Sequence, residues 1–159
     1  MYFHVSEKDW QAGDVIQPGK FGRSIIETSQ PSIKVNVAGA QISPLVRNLM
    51  WESALEASRI AWVPDAPSRG SVVFLNETLA LAQRFRDRFK QNHRIFRVAP
   101  VDDNANRHRG DVAAFEDVPE PLFTRLAERC RLYWVNPDPQ FPEILWEGAV
   151  RVEGETSSD

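Results

Sequence analysis

The chain has 159 residues and a mass of 18.1 kDa, enough for one domain that buries a core without metal or disulfide support. Apolar residues make up 42% and charged residues 26%, a globular balance, and a net charge of −3 with a pI near 5.7 argues against a molecule that binds nucleic acid over its whole surface. A single cysteine, Cys130, allows no internal disulfide, three histidines offer no metal-ligand spacing, and no apolar run approaches the roughly 18 residues of a membrane span.

With no charged and then apolar leader, these features predict a protein of the reducing cytoplasm, bound to neither metal nor membrane. Residues 2–5 read as a short strand with Tyr2 and His4 on one face. Turn signals at Gly13, Pro18-Gly19 and Gly22 make 6–23 a loop, and 24–41 has no strong period beyond the alternation of Ile33, Val35 and Val37. Ser43-Pro44 is a helix start, and the segment to about residue 62 is expected to be the longest helix, with Asn48, Glu52, Glu56 and Arg59 on one polar stripe.

Prolines and Gly70 end that helix before the central stretch of the chain, a buried strand at 72–75. Asn76 is expected to cap the next helix, in which Leu79, Ala82, Phe85 and Phe89 share a face. From 84 to 97 six Arg or Lys stand against one acid, Asp87, a strongly basic segment in an acidic chain. Ile95, Phe96 and Val98 make another strand, and 101–120 reads as a polar, mobile loop. A helix from Pro121 carries Leu122, Leu126, Cys130 and Tyr133 on one side, and a last strand runs over 143–152 with Glu143, Glu147 and Arg151 on a common face. The order of elements favours an α+β domain over 1–153, with 154–159 as a disordered tail.

No phosphate-loop or dinucleotide glycine motif follows a strand, and no nucleophile elbow is present. What remains is His4, Phe74 and Glu143, in that order and each on a predicted strand. The opening YFHVSEKDWQAGDVIQPGKFG, the central VVFLNETLALAQRF and the closing PEILWEGAVRV together resemble the ADP-ribosyltransferase superfamily. The pattern is closest to its diphtheria-toxin-like His-Tyr-Glu branch and, within it, to the small rifampin ADP-ribosyltransferases.

The resemblance implies two small, roughly perpendicular sheets flanked by helices, with NAD as co-substrate in the cleft between them. It implies that His4 and Ser6 hold the adenosine-side ribose, and that Phe74 stands where the family has a nicotinamide-stacking tyrosine. Phe85 would be the second ring of that sandwich. Val5 takes the place of a glycine that approaches the nicotinamide amide, and Arg69 is placed to contact a cofactor phosphate or ribose. Glu143 would be the catalytic carboxylate, with Glu147 as its rival if the register slips.

The acceptor, whether protein, nucleic acid or small molecule, is left open by the residues. So is a second reading, in which Val5 and Phe74 mark a catalytically inactive relative. Such a relative would bind a protein or nucleic acid through the basic helix and the 101–120 loop, which contains the Arg107-His108-Arg109 cluster.

Overall fold

The structure, a computed structural model, describes residues 1–28, 44–115 and 122–156. The described chain is α+β, with two antiparallel sheets. In the first, Tyr2–Ser6 (β1) pairs with Arg94–Pro100 (β4), β4 pairs with Val150–Glu155 (β7), and Val15–Ile16 (β2) lies on the outer edge of β7. The second is formed by Val73–Leu75 (β3), Pro142–Trp146 (β6) and Arg107–Asp111 (β5), with β6 in the middle. The helices are Lys20–Thr28 (α1), Pro44–Trp62 (α2), Leu79–Phe89 (α3) and Leu122–Val135 (α4).

Strand alternation divides the core. Ile144 and Trp146 on β6 join Val73, Leu75, Phe96, Val98, Val150 and Val152 where the two sheets meet. Leu145, of opposite parity, packs instead with Trp51 and Leu55 of α2 and with Cys130, Tyr133 and Trp134 of α4. Glu143 has the parity of Leu145, so β6 carries a carboxylate into the helical side of the molecule. The sheets are stitched where Phe3 and Asn76 exchange backbone hydrogen bonds of 2.9 and 2.8 Å.

Several expectations are corrected. The last strand is two strands in different sheets, broken at Glu147-Gly148-Ala149. The alternation of apolar residues continues across this break, which is why the sequence reads as one strand. β5 lies inside the stretch read as a mobile loop. It is an edge strand, and edge strands carry charged residues such as Arg107 and Arg109 that look like loop composition. Thr78, not Asn76, caps α3, its hydroxyl accepting from Leu81 N, because Asn76 is held in the bridge to Phe3. β7 extends to Glu155, and Thr156 N donates to Ile95 O at 2.9 Å, so pairing continues past residue 153. Ile33, Val35, Val37, Ser43 and Pro121 lie outside the described residues.

The middle of the expected 6–23 loop contains β2, and its end contributes the first turn of α1. Gly19, with φ +82, turns the chain into this helix. Gly22 then sets the helix against the short 3₁₀ turn Arg69–Ser71: a Cβ at residue 22 would lie 2.1 Å from the Gly70 carbonyl oxygen. Bare backbone at Gly22 lets α1 approach, and this brings Phe21 to β3.

Candidate functional site

A cleft of about 300 Å³ opens beside β1 and β3. Its walls include His4, Val5, Ser6 and Glu7 from β1 and the turn after it, Lys20 and Phe21 from α1, Phe74 from β3, and Lys90 and His93 from the link between α3 and β4. His4, Val5, Ser6 and Phe74 are thus brought to one place although up to 70 residues separate His4 from Phe74.

His4 Nδ1 is 3.0 Å from the Phe74 carbonyl oxygen. A carbonyl can only accept, so Nδ1 carries the proton and donates, and Nε2 is left with its lone pair. Burial lowers the pKa of His4 below the ordinary 6.5, outweighing the Phe74 carbonyl, and the nearby Lys20 ammonium acts in the same direction as burial. The imidazole is therefore neutral at pH 7, a fixed tautomer whose Nε2 accepts. Ser6 Oγ accepts from Lys8 N at 3.1 Å and from Trp10 Nε1 at 3.2 Å, which leaves its own proton to donate to a ligand.

Phe74 meets Phe21 edge to face, with centroids 5.4 Å apart and planes at 90°. The guanidinium carbon of Arg69 lies over the Phe74 ring, 4.7 Å from its centroid. Phe85 is elsewhere. It packs on Phe89 and Phe141, at centroid distances of 5.4 and 6.2 Å, and does not line the cleft. The ring that the structure sets beside Phe74 is Phe21, and the pair forms an edge-to-face corner.

Arg69 is the centre of a buried charge network behind Phe74. Its Nη1 donates to Glu143 Oε1 at 2.6 Å and to the Tyr133 hydroxyl, while Nε and Nη2 meet Glu52 at 3.0 and 3.3 Å. Tyr133 in turn donates to Glu143 Oε1 at 2.6 Å. Burial opposes the charge on Arg69, but the Tyr133 oxygen and the carboxylates of Glu143 and Glu52 outweigh it and hold the guanidinium protonated. Burial also keeps the Tyr133 phenol protonated, and Glu143 adds to this against the pull of Arg69. Cys130, buried nearby, has its thiol pushed up to about 11 by burial and by Glu52, so it is an inert thiol.

Glu143 does not line the cleft. Arg69 and Glu52 instead line a separate groove between α1 and α2, of about 620 Å³, which shares only Phe21 with the cleft. Glu147 is exposed. The Arg107-His108-Arg109 cluster lies on the β5 edge, where Arg107 donates to the Tyr2 hydroxyl and Arg109 pairs with Glu77 at 3.2 Å. In the basic segment, Arg86 pairs with Asp87, Arg94 with Asp9 and Arg97 with Glu153, so much of its charge is answered locally.

Sequence reasoning missed Phe21, Lys20, Glu7, Glu52 and Tyr133. For Glu52 the polar stripe on α2 was the available signal, but Glu52 and Glu56 face the 68–69 turn and not solvent alone. No family model matches the chain, and no curated protein does.

Proposed function

We propose that the cleft binds NAD as a co-substrate and that the protein is an ADP-ribosyltransferase, cleaving the bond to nicotinamide and passing ADP-ribose to an acceptor. The observation that carries this reading is the convergence of His4, Ser6 and Phe74 on one cleft. Residues chosen from two sequence fragments about 70 positions apart need not have met in space. The cleft's chemistry also suits the ligand. His4 Nε2 is an acceptor for a ribose hydroxyl, Ser6 is a donor, and Phe74 and Phe21 offer an aromatic corner to a planar ring. Lys20 and Lys90 supply positive charge for a diphosphate.

At about 300 Å³ the cleft is at the low end of the ~300–1,000 Å³ of small-molecule sites, so part of a dinucleotide would lie across its open rim. The binding-module reading has less support, because Arg86, Arg94 and Arg97 of the basic segment are ion-paired.

Isothermal titration of NAD into the purified protein tests the proposal. Binding between micromolar and millimolar, weakened about tenfold or more by His4→Ala through loss of a ligand hydrogen bond, is the expected result. No heat of binding at millimolar NAD would overturn it.

A further inference from the structure

If NAD is cleaved in this cleft, a negative group must stand near the ribose carbon that loses nicotinamide. Glu143 is badly placed for it. Its Oε1 is engaged by both Arg69 and Tyr133, its side chain is only 7% exposed, and it lines neither the cleft nor the α1–α2 groove. Glu52 opens on the groove and is engaged side-on by Arg69.

We infer that Glu7 is the catalytic carboxylate of the cleft, an assignment that rests on the NAD reading above. Among the described residues that line the cleft, Glu7 is the one carboxylate. No described residue forms an ion pair with it. Glu7 is itself exposed and lines the cleft from the bend after β1, where Ser6 Oγ accepts from Lys8 N and from Trp10 Nε1. The cation next in sequence is drawn aside, since Lys8 Nζ lies over the Trp10 ring, 3.7 Å from its centroid. The imidazole of His4 and the ring of Phe74 share the cleft with Glu7, so a nucleotide held by them is within the same enclosure.

In the reaction the bond between C1′ of the ribose and the nicotinamide nitrogen breaks. The bonding pair leaves with nicotinamide and neutralises the ring nitrogen, while positive charge develops on C1′ and the ring oxygen. The Glu7 carboxylate offsets that charge. The acceptor oxygen, from water in simple hydrolysis, bonds to C1′, and its proton passes to Glu7 and then to solvent. The sum is NAD⁺ and water giving ADP-ribose, nicotinamide and a proton.

The test follows nicotinamide release from NAD by wild type, Glu7→Gln, Glu7→Asp and Glu143→Gln, with titration of NAD into each and circular dichroism to check folding. Glu7→Gln should lower kcat on the order of 100-fold or more while leaving the NAD Kd within about threefold. Glu7→Asp should fall between it and wild type, and folded Glu143→Gln should lose less kcat than Glu7→Gln while its urea midpoint falls, since Glu143 acts through Arg69. A Glu7→Gln protein that turns over at the wild-type rate overturns the assignment. So does a folded Glu143→Gln protein that loses turnover while Glu7→Gln retains it, or a wild type that binds NAD without cleaving it. A wild type that does not bind NAD overturns the NAD reading itself.

Discussion

Replacing Arg69 by Met keeps much of the side-chain length and removes the charge that separates Glu52 from Glu143. The side chains of Arg69, Glu52 and Glu143 are only 11%, 19% and 7% exposed, so water cannot take over the lost interaction. Removing one partner of a buried pair costs about 3–5 kcal/mol, because the remaining charge stays desolvated. Against a typical ~5–15 kcal/mol of total stability this is a large fraction, and at about 2–4 °C per kcal/mol it lowers Tm by about 6–20 °C. Urea unfolding followed by tryptophan fluorescence reads it directly, since Trp51, Trp134 and Trp146 are buried. The triple change Arg69→Met, Glu52→Gln, Glu143→Gln should recover most of the loss, because no uncompensated charge is then left inside. A loss below about 1 kcal/mol for Arg69→Met, or a triple variant no more stable than the single one, would refute the reasoning.

Three other outcomes follow from the geometry. Gly22→Ala places a Cβ 2.1 Å from the Gly70 carbonyl oxygen, so α1 must shift and carry Phe21 off Phe74; NAD affinity should fall about tenfold or more in titration. Phe85→Leu should cost about 1 kcal/mol in urea unfolding and leave NAD binding intact, because Phe85 packs on Phe89 and Phe141 outside the cleft. His4 has a folded pKa below its ordinary 6.5, so the unfolded chain binds the proton first. Its contribution to stability is therefore complete above about pH 6.5 and is lost as pH falls from there through the folded value; His108 acts with the same sign. His4→Gln should flatten part of the decline in urea midpoint between pH 8 and 5, and an unchanged slope would count against a buried neutral imidazole.

How far the sequence could be read depended on whether the deciding contact was local. The helices α2, α3 and α4 carry their own apolar period, β1 and β4 their own alternation and β3 an unbroken apolar run, so each is visible within a dozen residues. The pairing of Glu52 with Arg69 spans 17 positions and that of Arg69 with Glu143 spans 74, and neither leaves a mark on local pattern. A polar stripe on α2 looks the same whether it faces water or a guanidinium. Tyr133 was placed on the apolar side of its helix, where its ring belongs, but nothing nearby in sequence shows that its hydroxyl meets Glu143. Phe85, on the helix after the central strand, is the second ring that the resemblance implies, and nothing in the local pattern of Phe21 points to Phe74. It is a close approach of two glycines, Gly22 and Gly70, that brings Phe21 to Phe74.

The same contacts give Glu143 a part that does not require it to touch a ligand. Phe74 is fixed from two directions: its carbonyl accepts from His4, and its ring lies under the Arg69 guanidinium. Arg69 can hold that position only while Glu52, Glu143 and Tyr133 satisfy its nitrogens, since a desolvated guanidinium without such partners would move toward water. Gly110 leaves the space the Tyr133 ring fills, for a Cβ there would lie 2.4 Å from the ring carbon that bears the hydroxyl. The buried network thus sets the aromatic wall of the cleft from behind, and the groups facing its interior, His4 Nε2, Ser6 and Glu7, remain available to a ligand. Loss of Glu143 would then act through Arg69 and Phe74 on stability and on the shape of the wall, and loss of Glu7 on the reaction alone.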